Sequence, residues 1–130
     1  MRGKNKMRAG KSAKDYRFSK WLKAELERRN ITQVGLSRAT GIRQGSINHL
    51  LWGGGTPKPD TLNAIADGLL LPREELYRVV GFLPPLSREG AHWEQIKYKY
   101  SLLSQENQAK FDRFLDFELL EQKRGKASKK

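Results

Sequence analysis

The chain has 130 residues, with 26 Lys and Arg against 14 Asp and Glu, for a formal net charge of +12. That length accommodates one domain, or one small domain with an accessory segment, and the absence of cysteine excludes disulfides and thiolate metal sites. Apolar runs fall far short of a bilayer span, and the basic N-terminus lacks the apolar core of a secretion signal, so a cytoplasmic protein is expected.

Residues 1–17 carry seven Lys and Arg against the single acid Asp15 and almost nothing apolar, which reads as a flexible basic arm. Phe18, Trp21, Leu22 and Leu26 then recur at helical spacing. They predict a first helix that Ser19 can cap and that ends near Arg29 and Asn30. Thr32 suits the N-cap of a second helix reaching about Ala39, because its hydroxyl can accept from an orphan backbone amide. Gly41 supplies a turn residue that tolerates positive φ, and a third helix runs from about Gln44 to Leu51. Leu36, Ile42, Ile47 and Leu50 are spaced for burial between these two helices, and Trp52 is read as core. Gly53, Gly54 and Gly55 stop the third helix, since glycines propagate one poorly. A fourth helix starts at Pro59 or Asp60 and carries Leu62, Ile65, Ala66 and Leu69. Glu74, Glu75 and Leu76 open a fifth, with Gly81 placed to cap it.

Pro84 and Pro85 make the clearest break in the chain. Beyond them, Ser87 opens a helix from about Arg88 to Leu103 whose stripe is Trp93, Ile96, Tyr100 and Leu103. Ser104 caps another, from Gln105 to about Lys123, bearing Phe111, Phe114, Leu115, Phe117, Leu119 and Leu120. Large apolar groups cover both faces of its last two turns. Residues 123–130 add five Lys and Arg and no acid, a basic tail. Between arm and tail, residues 18–122 hold 14 basic and 13 acidic groups, so the positive charge sits in the two ends. The expected organisation is an arm over 1–17, a five-helix domain over 18–83, two helices over 84–122 and a tail over 123–130.

The stretch from Thr32 to Trp52, two short helices around Gly41, resembles the helix-turn-helix of the lambda-repressor-like (Xre/Cro) DNA-binding family. The resemblance runs from about Phe18 to Leu83, through the Gly/Lys/Pro loop from Gly53 to Pro59 and the two helices after it. Thr40, Leu70 and Pro72 depart from the family pattern, where an apolar residue, a glycine and a Ser or Thr cap are usual. The resemblance implies an all-α fold: a five-helix lambda-repressor-like DNA-binding domain followed by a C-terminal helical hairpin. It implies that the third helix enters the major groove, with Gln44, Gly45, Asn48 and His49 as its base-reading surface. A Gln or Asn amide offers a donor beside an acceptor, the pattern that adenine N6 and N7 complement. Gly45 either lets the backbone close on the groove or forgoes a base contact. Asn48 alternatively is a solvent-facing polar residue, and His49 either packs under the glycines or meets a phosphate. Gln33 resembles the family's phosphate anchor at the start of the second helix. Arg43, Ser46, Thr56 and Lys58 are further phosphate candidates, with Arg38 and the Gly54 and Gly55 amides beside them. Arg2, Lys4, Lys6 and Arg8 resemble arms that wrap the duplex.

These readings imply a sequence-specific, dimeric transcriptional repressor of a bacterium or phage, nucleoid-associated, acting on double-stranded DNA without chemistry of its own. Trp93, Ile96, Tyr100, Phe111, Phe114 and Leu115 are the candidate interface, because an apolar surface that large marks a contact. Two alternatives stand: the last helices pack onto the N-terminal domain, or they hold a protein partner, as in an antitoxin-like or adaptor protein. No cofactor is expected, and His49 and His92 lie too far apart, without carboxylates nearby, to hold zinc. No nucleophile–base pairing or phosphate-cradling glycine loop suggests an enzyme. RNA binding through the tails lacks an aromatic platform.

Overall fold

The computed structural model describes residues 14–128, and these form seven helices and no strand. The first, α1 (Arg17–Arg29), turns Phe18, Leu22 and Leu26 to one side at four-residue intervals and buries all three. Arg28 and Arg29 occupy its last turn, where cations complement the negative end of the helix dipole. Asn30 closes it in the left-handed conformation at φ 57°, and the Ile31 amide reaches back to the Leu26 carbonyl at 2.9 Å. Ser19 is not the cap: it lies inside the helix, buried, and its hydroxyl donates to the Leu50 carbonyl at 2.7 Å. Tyr16 precedes the helix without a side-chain cap bond.

The Gly35 amide donates to Thr32 Oγ1 at 3.0 Å at the start of α2 (Gln33–Thr40), the expected N-cap. Gly41 ends α2 with φ 77°, a conformation that side-chain-bearing residues rarely adopt. Thr40 keeps its polarity inside the helix end: its hydroxyl donates to the Leu36 carbonyl at 2.8 Å and accepts from the Ile42 amide at 3.1 Å. A hydroxyl therefore locks the turn where the family pattern would place an apolar group. Next comes α3 (Gln44–Trp52), one residue longer than expected, which buries Ile47 and Leu51. Leu51, not Leu50, is the fully buried leucine; Leu50 is half-buried.

Pro59 opens α4 (Pro59–Gly68), where its missing N–H costs no hydrogen bond. Leu62, Ile65 and Ala66 face the core. At its far end Gly68 permits close approach to α2, since a Cβ there would stand 2.7 Å from Thr40 Cγ2 and 3.0 Å from the Ala39 carbonyl oxygen. Leu70 follows at φ 57°, a left-handed leucine. Its buried neighbours Leu69 and Leu71, and the bond from the Leu71 amide to the Ala66 carbonyl, hold it there. The fifth helix, α5 (Arg73–Val79), starts after Pro72 without a side-chain cap; Glu74 and Glu75 supply the negative charge its N-terminus favours. Gly81 lies just past its end at φ 84°.

The core is drawn wholly from these five helices and their connections, from Phe18 to Val80. Ser87 caps α6 (Arg88–Leu102) by accepting from the Gly90 amide at 3.0 Å, and Ser104 caps α7 (Gln105–Ser128) by accepting from the Asn107 amide at 3.2 Å. The last helix thus runs beyond Lys123, through most of the segment read as a tail. No described side chain of α6 or α7 is buried. Two polar links tie α6 to α5: Arg78 to Glu94 at 2.6 Å and Gln95 Nε2 to Glu75 Oε1 at 2.7 Å. Among the described residues, no helix is long and apolar enough to cross a membrane.

Candidate nucleic-acid interface

The phase of α3 follows from what it buries. Ile47 and Leu51 point into the core, so at about 100° per residue Gly45 and His49 lie opposite them and Asn48 lies on the flank, while Gln44, on the buried side by phase, is exposed because it begins the helix. The turn before it is rigid: Gly41 takes the left-handed bend, and the Ser37 hydroxyl donates to the Ile42 carbonyl. Two elements thus fix how the face is presented.

Neither the Gln44 nor the Asn48 side chain makes a hydrogen bond to another described residue, which leaves both amides available to an external partner. A Cβ added at Gly45 would meet nothing within 4 Å, and its φ is not in the left-handed range. Glycine in a helix costs roughly 0.5–1 kcal/mol relative to alanine. The described fold gives no return for that cost, so nothing among the described residues explains Gly45. His49 is different: its ring lies against Gly53, where a Cβ would come within 2.5 Å of Nδ1 and Cε1. Of its two alternatives, packing on the glycines is therefore the one seen. Arg43, Gly45, Ser46 and His49 together line an open groove of ≈ 510 Å³ beside the helix.

The phosphate candidates lie at helix starts, within α3 and in the loop after it. Gln33 is the first residue of α2, half-exposed, next to the Thr32 cap. Arg43 and Lys58 precede α3 and α4 directly, both exposed, and neither forms an ion pair among the described residues. Ser46 and Thr56 are exposed as well. Gly55 does not belong with them. Its amide donates to the Asp15 carbonyl at 2.7 Å, so it is spent inside the chain.

That bond belongs to a strap. Lys14 Nζ donates to the Gly53 carbonyl at 3.2 Å, and the Tyr16 ring lies so close to Gly54 that a Cβ there would stand 2.6 Å from it. Asp15 is gripped by Arg17, whose guanidinium donates to the carboxylate at 2.6–3.0 Å and to the Val80 carbonyl at 3.1 Å. These hydrogen bonds hold the Asp15 carboxyl down to about 2, below its ordinary 3.8. Residues 14–16 thus pack on the glycine loop instead of belonging to a free arm. Arg2, Lys4, Lys6 and Arg8 lie outside the described residues.

Trp52 reverses its expectation. It is 62 % exposed, four residues after Asn48 on the same side of α3, with Lys23 Nζ 3.8 Å from its ring centroid. The spacing from Gln44 through Asn48 to Trp52 was the signal for this; the size and apolarity of tryptophan obscured it.

The six C-terminal candidates divide. Ile96, Tyr100 and Phe111 are half-buried around an apolar pocket of ≈ 230 Å³ where α6 meets α7, with Tyr100 and Phe111 in edge contact at 5.6 Å. Tyr100 also donates to Asp112 at 3.1 Å and accepts from Gln108 through its carbonyl at 3.0 Å. Trp93, Phe114 and Leu115 are exposed, and so are Phe117, Leu119 and Leu120 farther along α7.

Residues 22–76, from α1 into α5, match the family model described as Helix-turn-helix. No curated protein and no solved structure matches the chain.

Proposed function

We propose, for a chain that carries a helix-turn-helix domain of the Xre/lambda-repressor-like family of DNA-binding transcription regulators, that it is a dimeric repressor which lays α3 in the major groove of bacterial or phage DNA. The observation that carries this reading is the exposed face of α3, where Gln44 and Asn48 keep unengaged amides on either side of a glycine that the fold itself does not need. Such amides pair with adenine edges, and the bare Gly45 lets the backbone approach the bases. Gln33, Arg43, Ser46, Thr56 and Lys58 hold the phosphates on both sides of the groove, which sets the register without reading sequence. Occupying a promoter in this way blocks polymerase, and no covalent step is required.

One recognition helix spans few base pairs, so specificity calls for a second copy reading a second half-site. The exposed apolar side chains of α6 and α7 are the surface for it: Trp93, Phe114 and Leu115, continued by Phe117, Leu119 and Leu120. Selection of bound sequences from a random DNA pool, with the mass of the free and bound protein in solution, tests both parts. The expected result is a two-fold-symmetric site bound by two copies. Gln44→Ala should then weaken that site by ~1–3 kcal/mol while non-specific affinity stays unchanged. A monomer that acquires a sequence preference only with another protein bound to α7 would favour the adaptor reading instead.

A further inference from the structure

The exposed stripe of α3 does not stop at its reading residues. Trp52 continues it at the last position of the helix, with a cation on its ring and an aromatic side chain on the loop that follows. Lys23, from α1, stands over the indole at 3.8 Å, and the Tyr16 ring, 45 % exposed, lies on Gly54 in the loop that follows. The neighbouring acid, Asp15, is engaged by Arg17.

The reach of the helix places this cluster. At about 1.5 Å per residue, Trp52 lies roughly 12 Å along the axis from Gln44. The major groove is about 12 Å wide. A helix whose first turn touches base edges therefore delivers its last residue to the groove wall, where sugars and phosphates stand. We propose that Trp52, Lys23 and Tyr16 form a sequence-independent seat for the DNA backbone at that wall, an inference that rests on α3 occupying the major groove. The indole face packs on a deoxyribose and sheds the water that an exposed tryptophan otherwise orders. The Lys23 ammonium, held over the ring, meets the adjoining phosphate with a single predetermined position. The Tyr16 hydroxyl donates to a phosphate oxygen, and the strap at Gly53–Gly55 keeps its ring in place.

A seat of this kind needs no operator to be detected, because backbone contacts are indifferent to sequence. Full-length protein carrying 15N-labelled tryptophan and asparagine is titrated with a short random-sequence duplex at low salt, the Trp52 indole resonance having been assigned through Trp52→Phe. The expected result is that the Trp52 indole N–H shifts together with the Asn48 side-chain amide while the Trp93 indole stays still. Lys23→Ala should weaken random and selected duplexes by the same factor. It should also reduce the slope of log affinity against log salt by about 0.9, the share of one phosphate. Movement of Asn48 without Trp52, with the salt slope of Lys23→Ala unchanged, would overturn the seat and leave the groove reading intact. No movement of either, with no duplex bound, would overturn the groove reading and the seat with it. A Trp52 shift produced by raising protein concentration alone would identify a protein contact and refute the seat.

Discussion

The first five helices and the last two use apolar residues in opposite ways. Every helix from α1 to α5 places side chains in a common core, down to 0 % exposure for Leu22, Leu36, Ile47, Leu62, Ile65 and Leu76. In α6 and α7 no described side chain is buried, although Trp93, Phe114, Leu115, Phe117, Leu119 and Leu120 are as large and as apolar. What joins the two regions is polar: Arg78 to Glu94 and Gln95 to Glu75. Both are part-buried, with Arg78 and Glu94 at 19% and 24% exposure, yet neither brings apolar surface of α6 into the core. The difference teaches that hydrophobicity alone does not stabilise a helix in the fold; it does so where a complementary surface exists. The N-terminal region carries its own complement, and the C-terminal one leaves its large apolar side chains exposed.

The comparison breaks most visibly under truncation of one apolar side chain in each region. Ile47→Ala should cost about 2–5 kcal/mol, because it empties a closed site whose neighbours cannot fully collapse. Phe117→Ala should change the unfolding free energy of the monomer by no more than about 0.5 kcal/mol, while raising the concentration at which dimers form. Denaturant unfolding at low protein concentration, with sedimentation of the same variants, separates these outcomes. Equal destabilisation by both would mean that α7 packs on the domain in solution.

Gly45 gives a test of opposite signs within the N-terminal region. Gly45→Ala should stabilise the fold by about 0.5–1 kcal/mol, since the new methyl meets no neighbour and glycine no longer loosens the helix. The same methyl should weaken DNA binding several-fold if the backbone there lies against the bases. Thermal melts and duplex titrations of one preparation give both readings. A gain in stability with unaltered binding would remove Gly45 from the interface.

Much of this region could be read from the chain because its signals are local. Thr32, Gly41 and Gly81 announce helix ends through backbone chemistry that needs no tertiary partner, and Phe18, Leu22 and Leu26 mark a face through period alone. Misreadings arose where a distant residue decides. Ser19 has the composition of a cap, but its hydroxyl is claimed by the Leu50 carbonyl, 31 residues away. Leu50 and Leu51 are three and four residues after Ile47, both admissible on a helical face, and only tertiary packing selects Leu51. Trp52 has the residue type of a core side chain, but its phase, close to that of Asn48, places it outside. The exposure of Gly45, Asn48 and His49 on α3 was legible from residue type and phase; the strap from Lys14 to Tyr16 was not, because its partners are three featureless glycines.

Leu70 marks a place where the chain tolerates strain. A left-handed leucine costs roughly 1–2 kcal/mol, part of which a glycine would return to the more flexible unfolded chain. With the side chain 54 % exposed, little packing is lost. Leu70→Gly should therefore stabilise the domain by roughly 0.5–1 kcal/mol, measured by denaturant midpoint. A loss of stability would show that Leu70 is covered in solution, with α6 or a second copy as the nearest candidates.

The smallest expected effect probes the joint itself. Glu75 is half-buried on α5, and burial raises its carboxyl above the ordinary 4.5, aided by the nearby Glu25 and Glu94 and opposed by the hydrogen bond from Gln95 and by Arg29. A raised folded value means the native state holds this proton more tightly than the unfolded chain does. Its contribution to stability is therefore complete below 4.5 and is lost as pH rises through the raised value. Asp15, lowered to about 2 by Arg17, and Asp67, lowered by its hydrogen bond from Arg73, act with the opposite sign. They stabilise above 3.8 and cease to do so as the pH falls below it, so the windows do not overlap. Glu75→Gln keeps an oxygen to accept from Gln95 and abolishes the titration. Stability of the variant should be level just above pH 4.5, where the parent declines, and should still fall in stronger acid. Gln95 on α6 lowers this carboxyl by more than Glu94 on the same helix raises it, so a chain ending at Leu83 should lose the decline only through the burial that α6 itself supplies. If the shortened chain keeps the full decline, the burial of Glu75 belongs to the five-helix domain and the joint with α6 is looser than its hydrogen bonds imply.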